Sequence, residues 1–236
     1  MSLTGIFPID KWDFHSKTIL AGLAEGELKQ LMAHAREERY LKGEIIFREG
    51  NMPAGIYYIR SGVVKKYKID GEGREHIFYI GCAGELIGYH AVLSNEPYAD
   101  AAAALEDSLV SFIPLSDFLA VLDSSPTLSR QLLKTLSHEF TVFINNMSVF
   151  AQRPVRERIA IALIILREKF KHSTKEGQPI MIKISRDDIA NMSGTTRENV
   201  ARALTDFREE NIIATSGRKI EVIDIERLVN ISNFSD

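Results

Sequence analysis

"SGTTRENVARAL", residues Ser193 to Leu204, decides how the rest of the chain is read. It opens as a tight turn, passes two threonines and becomes helical, with Arg197, Glu198 and Arg202 crowded toward its start. Val200, Ala203, Leu204 and, just beyond, Phe207 recur at the spacing of one buried helix face. Arg197, Glu198, Asn199 and Arg202 are therefore left at the helix tip or on its outer face. Thr195 followed three residues later by Glu198 has the form of a capping box, which predicts where the helix begins. Whether the Glu198 side chain caps the helix or reaches outward stays open at this point.

The flanks give the helix a setting. Upstream, "SRDDIANMS" reads as a second helix: Ser185 is placed to cap it, Asp187 and Asp188 complement its N-terminus, and Ile189, Ala190 and Met192 supply apolar faces. Gly194 permits a sharp turn between the two helices. Downstream, "NIIATSGRKIEVID" reads as two β-runs around Ser216-Gly217-Arg218, with Gly217 supplying the positive φ of a tight hairpin. Before all of these come a helix from Val155 to about Phe170, a polar loop "KHSTKEGQP" and a strand "IMIKI". Three helices followed by a hairpin is the order of a winged helix-turn-helix. In that module the second helix of the pair presents its N-terminal residues to base edges in the major groove. Arginine can donate two hydrogen bonds to guanine, and a carboxylate can accept from cytosine N4. The DNA-contact set expected on these grounds is Arg197, Glu198, Arg202, Thr195, Thr196, Asn199, Ser185 and Arg218.

Further upstream the period changes twice. From Ser125 to Pro154, Leu132, Leu136, Phe140, Phe143, Met147 and Phe150 follow at steps of four, four, three, four and three, a stripe running along most of one long helix. This predicts a dimer seam. From Tyr40 to about Ile113 short runs rich in Val, Ile, Phe and Tyr alternate with glycine-containing turns such as "DGEG" (Asp70 to Gly73), the pattern of a small antiparallel barrel or jelly roll. "ELKQLMAHAREERY", Glu27 to Tyr40, has apolar residues at helical spacing and is expected to be a covering helix. The fold class is thus α+β, in three parts: residues 1–124 an effector-type β-roll with an N-terminal helix, 125–152 the dimerisation helix, and 153–236 the winged helix-turn-helix.

Composition agrees. Of 236 residues, 45% are hydrophobic and 26% charged, which excludes a disordered chain and permits two ordinary cores. The longest apolar run, "IAIALIIL", is far short of the roughly 20 residues a membrane span needs, and "MSLTGIFPID" has no leader pattern. A soluble, cytoplasmic protein without a membrane partner is expected. The single cysteine, Cys82, excludes an internal disulfide and a four-thiolate cluster. Residues 1–152 hold 14 Lys+Arg against 19 Asp+Glu, net −5, while 153–236 hold 15 against 13, net +2, so nucleic acid would be met through the rear of the chain.

"ISRDDIANMSGTTRENVARALTDFREENII" closely resembles the helix-turn-helix of the cyclic-AMP receptor protein and fumarate-nitrate regulator (CRP/FNR) family of bacterial transcription factors, and the resemblance extends over nearly the whole chain. It implies a homodimer on double-stranded DNA and leaves room for RNA polymerase and a small-molecule effector as further partners. The Arg197-Glu198 pair with Arg202 looks like the receptor-protein branch, whose half-sites are of the TGTGA type. By that match Arg197 and Arg202 read guanines, and Glu198 a cytosine on the other strand. The family's cyclic-nucleotide pocket uses a Gly-Glu-Leu turn whose glutamate meets the ribose, matched here by Gly84-Glu85-Leu86, and then an Arg-Ser pair on the phosphate. Tyr98 and Ala99 stand near the latter positions. No Arg or Lys occurs from Glu85 to Leu128, so a buried phosphate would lack a counter-charge, at a cost of several kcal/mol. Cyclic AMP is therefore not expected as effector, and no cofactor is assigned. Two rivals are a cyclic-nucleotide-dependent regulator whose cation comes from elsewhere, and a metal-dependent cupin-type enzyme using His76, Glu85 and His90, fused to a DNA module. Haem ligation through His76, Cys82 or His90 has no support beyond residue type.

Overall fold

The short strands expected between Tyr40 and Ile113 are present in the computed structural model, which describes residues 3, 5–175 and 177–234. Helix α1 (Glu25–Leu31) precedes β1 (Arg36–Tyr40), β2 (Ile45–Phe47), β3 (Gly55–Ser61), β4 (Val63–Ile69), β5 (Glu75–Cys82) and β6 (Leu86–Ile87). Helix α2 (Tyr89–Ser94), β7 (Ala101–Ala104), β8 (Ser108–Pro114) and α3 (Leu115–Ser124) follow. The strands make two four-stranded sheets, ordered β1-β8-β3-β6 and β2-β7-β4-β5. All four β7 alanines are buried.

The covering helix expected over Glu27–Tyr40 is two elements. The helix ends at Leu31, and Arg36–Tyr40 pairs antiparallel with β8 from Phe112 to Ser108. Strand β1 lies at the sheet edge with four of its five residues exposed, so it lacks the alternation that announces a strand.

Helix α4 (Pro126–Gln152) is the long helix of the sequence pattern. Ser125 Oγ accepts from the Leu128 amide at 3.1 Å, and Pro126 occupies the first helical position, where no amide is needed. Then come α5 (Val155–Lys171), β9 (Met181–Lys183), α6 (Arg186–Ser193), α7 (Arg197–Glu209), β10 (Ile213–Ser216), β11 (Lys219–Val222) and α8 (Ile225–Ser232). The last three strands form a sheet ordered β10-β11-β9. Glu176 of the polar loop lies outside the described residues.

The chain divides into two units. One holds residues 14–68 and 79–141, with a core that includes Ile19, Leu31, Ile56, Ile113, Phe118 and Leu128. The other holds the described residues of 1–13, 69–78 and 142–236. There the buried face of α5, from Ile159 to Phe170, packs against α8, α6 and β9, and Trp12 meets the Phe234 ring edge-on at 5.2 Å.

The burial of α4 changes the composition of the expected seam. Leu132 is buried in the core of its own roll, with Leu136 packed beside it. Phe143 lies against Phe78, and Phe150 against His76 and Gly194. Only Phe140 and Met147 of the expected set are exposed large apolar residues; Leu133 and Ile144 join them, and Leu133, Phe140 and Met147 keep heptad spacing. The sequence pattern merged two stripes, an inward one and an outward one, because both are apolar.

Candidate nucleic-acid interface

Helix α6 begins as expected. Ser185 Oγ accepts from the Asp188 amide at 3.0 Å and donates to Asp188 Oδ2 at 2.5 Å, so its hydroxyl is engaged at the helix start. The helix ends on Gly194 at φ 56 and ψ 49. A side chain there would be strained in φ and would press its Cβ to 3.0 Å from the Phe150 ring, so both backbone and space select glycine.

The start of α7 corrects the sequence expectation by one residue. Thr196, not Thr195, is the N-cap, with extended dihedrals and its hydroxyl oxygen 3.4 Å from the Asn199 amide. Thr195 belongs to the preceding turn: its amide donates to the Ala190 carbonyl at 3.1 Å, and its Oγ1 accepts from Asn199 Nδ2 at 3.0 Å. The Thr195–Glu198 capping box therefore does not form. Two adjacent threonines offered two caps, and a spacing rule picked the one whose backbone was committed elsewhere.

With the cap supplied by Thr196, Glu198 is exposed in the first turn. Its own amide and the Thr196 hydroxyl stabilise the carboxylate, and the charge of Arg197 adds to them, holding the carboxyl below its usual range. Val200, Ala203, Leu204 and Phe207 are buried as the period requires, leaving Arg197, Glu198 and Arg202 exposed. Arg197 is 3.4 Å from Asp187 Oδ2, but both side chains are more than half exposed, so the pair is worth about 0–1 kcal/mol and is readily exchanged for a better acceptor. Arg202 makes no ion pair among the described residues; with Asn199, Arg156 and Asp206 it borders a shallow cavity of about 190 Å³. Arg156, by contrast, is tied to Glu210 at 2.5 Å and lies over the Phe207 ring, a structural arginine.

The hairpin turn is built as read, with Gly217 at φ 60 and Arg218 exposed. Sequence reasoning missed Arg186, whose Nη1 donates to the Gly217 carbonyl at 2.7 Å.

In the roll, Glu85 is fully buried. Tyr79 donates to its Oε2 through a short hydrogen bond, Ser16 Oγ stands 3.4 Å from the same oxygen, and Cys82 Sγ is 3.2 Å from Oε1. Tyr98 is spent on the core: its ring stacks on Phe47 at 4.2 Å and its hydroxyl donates to the Gly55 carbonyl. Burial and the neighbouring Tyr57 push its phenol well above the usual range. Ala99 is exposed. A cavity of about 420 Å³ opens beside Tyr98 and Ala99, with Gly88, His90 and Lys66 in its wall; Gly84, Glu85 and Leu86 do not line it, so the structure does not bring the five residues expected at the effector pocket together. Residues 85–128 hold no Lys or Arg, yet the cavity wall carries a cation, Lys66. The cation comes from β4, buried, with Nζ 3.2 Å from Asp100 Oδ2, so its charge is already matched. His90 and Tyr89 both hydrogen-bond to Glu139 of α4, and His76 packs edge-on against Phe150. Among the described residues no three His, Cys, Asp or Glu side chains are grouped to hold a metal ion.

A turn-linked helix pair, an outer face with Arg197, Glu198 and Arg202, and a β-hairpin wing define a DNA-binding transcription regulator. The comparisons agree. Residues 37–125 match the cyclic nucleotide-binding domain, and 157–231 the Crp-like helix-turn-helix domain. The fumarate and nitrate reduction regulatory protein of Yersinia pestis is 30% identical over 211 residues, 89% of this chain and 84% of that one. The transcriptional activator protein anr of Pseudomonas aeruginosa is 30% identical over 183 residues, 78% and 75% of the two chains. The structure of FixK2 from Bradyrhizobium japonicum superposes with a TM-score of 0.74 at 27% identity, over 86% of this chain and 99% of that one. The chain belongs to the CRP/FNR family of transcription regulators.

Proposed function

We propose that this regulator acts as a homodimer on a pseudo-palindromic site with half-sites of the TGTGA type, and that it does so without cyclic AMP. The observation that carries this is the outer face of α7, where Arg197, Glu198 and Arg202 are exposed while the opposite face is buried. The two arginines are assigned to guanines and Glu198 to cytosine N4. Thr195, Thr196, Asn199 and Arg218 are assigned to sugar and phosphate, contacts that fix register without reading sequence. Ser185 contributes through the start of α6. Two-fold symmetry about α4 sets two recognition helices about one DNA turn apart, roughly 34 Å. The exposed Leu133, Phe140, Ile144 and Met147 supply the self-complementary face for that pairing. DNA and RNA polymerase as partners put the protein's action in the cytoplasm.

Two features support a mode of action without cyclic AMP: Lys66 is already neutralised by Asp100, and the Arg-Ser phosphate pair is replaced by a core tyrosine and an alanine. Selection of DNA from a random pool, with and without cell extract, tests the reading. Enrichment of an inverted repeat of TGTGA-like halves by purified protein alone is expected; no enrichment, or enrichment only with added cyclic nucleotide, overturns it.

A further inference from the structure

Two side chains from different helices converge on the turn that launches α7. The Phe150 ring, from the last turn of α4, lies so close to Gly194 that a Cβ there would meet its Cε1 at 3.0 Å and its Cδ1 at 3.1 Å. Arg158, from the first turn of α5, donates from Nη2 to the Gly194 carbonyl at 3.3 Å and sets its guanidinium 5.8 Å from the centre of the same ring. That carbonyl is one of those the end of α6 leaves without a helical partner, so a charged donor meets an otherwise unsatisfied acceptor. Arg158 makes no ion pair among the described residues. A second layer comes from β5: His76 meets the Phe150 ring edge-on at 5.0 Å and hydrogen-bonds to the Asn191 backbone, and Glu75 accepts from Asn191 Nδ2 at 3.5 Å. All these groups belong to one unit of the fold.

We propose that Phe150 and Arg158 are positioning residues for base reading: together they clamp the Gly194 turn and so set the direction of α7. This rests on the reading of α7 as the base-reading helix and names the residues that aim it. Glycine admits the left-handed turn but does not enforce it, because it populates many backbone conformations at similar energy. The direction of α7 therefore needs fixing from outside the turn. Arg202 lies five residues beyond Arg197, so a tilt of about 10° at the start of α7 moves it by about 1 Å. Hydrogen-bond distances to a guanine edge span only about 0.5 Å, so such a tilt costs the bidentate contact. Met147, on the exposed face assigned to pairing, stands three residues before Phe150 and neighbours it on α4. Ordering the end of α4 by pairing thus also orders the clamp.

The test uses the full chain and three kinds of measurement. Phe150→Ala and Arg158→Ala are each expected to weaken binding to the selected palindrome by about tenfold while leaving scrambled DNA nearly unchanged. Phe150→Tyr, which keeps the ring, is expected to recover most of the loss. In an Arg197→Ala background the same two substitutions are expected to cost little more, since residues that act through one contact are not additive. Exchange of the Thr195 amide, which is bonded to the Ala190 carbonyl across the turn, is expected to rise by about tenfold in Phe150→Ala, with the Leu204 amide unchanged. An equal loss on both duplexes makes Arg158 a phosphate contact, and full additivity with Arg197→Ala makes Phe150 a residue of general stability; either overturns the proposal. If Phe150→Ala does not fold, Arg158→Ala decides by the same readings. Unchanged palindrome affinity in Arg197→Ala alone strikes the base-reading assignment, while the exchange of Thr195 still judges the clamp.

Discussion

Arg186 Nη1 donates to the Gly217 carbonyl at 2.7 Å, which ties the turn of the wing to the first turn of α6. A two-residue turn at the tip of a hairpin has few other anchors, and a charge-assisted hydrogen bond is among the stronger ways to hold one. Arg186→Ala is expected to speed amide exchange in β10 and β11 and to weaken binding to matched and scrambled DNA by similar factors, as loss of a positioning element does. A loss confined to the matched site would make Arg186 a base reader.

The placement of the cap separates two neighbouring threonines. Thr196→Ala should cost about 1 kcal/mol at the start of α7, seen as roughly fivefold faster exchange of the Asn199 amide. Thr195→Ala should leave that amide nearly unchanged, since Thr195 caps nothing.

Glu198 offers a titration. Its folded carboxyl pKa is held below the usual glutamate range by its own amide, the Thr196 hydroxyl and Arg197, in that order. A depressed carboxyl pKa contributes stability that is present above the unfolded value and lost as pH falls through the folded one. The carboxyl resonance should therefore titrate below that of an ordinary exposed glutamate, and Thr196→Ala should move its midpoint upward. A midpoint at or above that of an ordinary exposed glutamate contradicts the arrangement.

The outward stripe of α4 is separable from the inward one. Phe140→Glu and Met147→Glu lie on exposed positions and should leave a folded monomer in sedimentation at concentrations where the wild type is dimeric. Leu132→Glu buries a charge in the roll's core and should lose folded protein instead. Dimers that survive both exposed substitutions would place the seam elsewhere.

What could be read from the sequence divides along physical lines. The face of α7 was legible because Val200, Ala203, Leu204 and Phe207 and the residues opposite them lie within one helix, where periodicity alone sorts inside from outside. The Gly194 and Gly217 turns were legible because each needs a positive φ. The cap moved by one residue because hydrogen bonding in the turn, not spacing, chose between Thr195 and Thr196. Strand β1 was missed because an exposed edge strand carries no alternation. The Lys66–Asp100 pair was out of reach because it joins residues that only the folded roll brings together. The seam was half legible: its helix and heptad spacing could be read, but two apolar stripes on one helix look alike until burial separates them.

Base reading by α7 is the central claim, and its most direct measurement is the affinity of wild type and Arg197→Ala for the selected palindrome and for a scrambled duplex, each across a salt series. The expected result is a loss of about 1–3 kcal/mol on the palindrome and little change on scrambled DNA, with the salt slope nearly preserved. An equal loss on both duplexes, with a shallower slope, would make Arg197 a phosphate contact and contradict the claim.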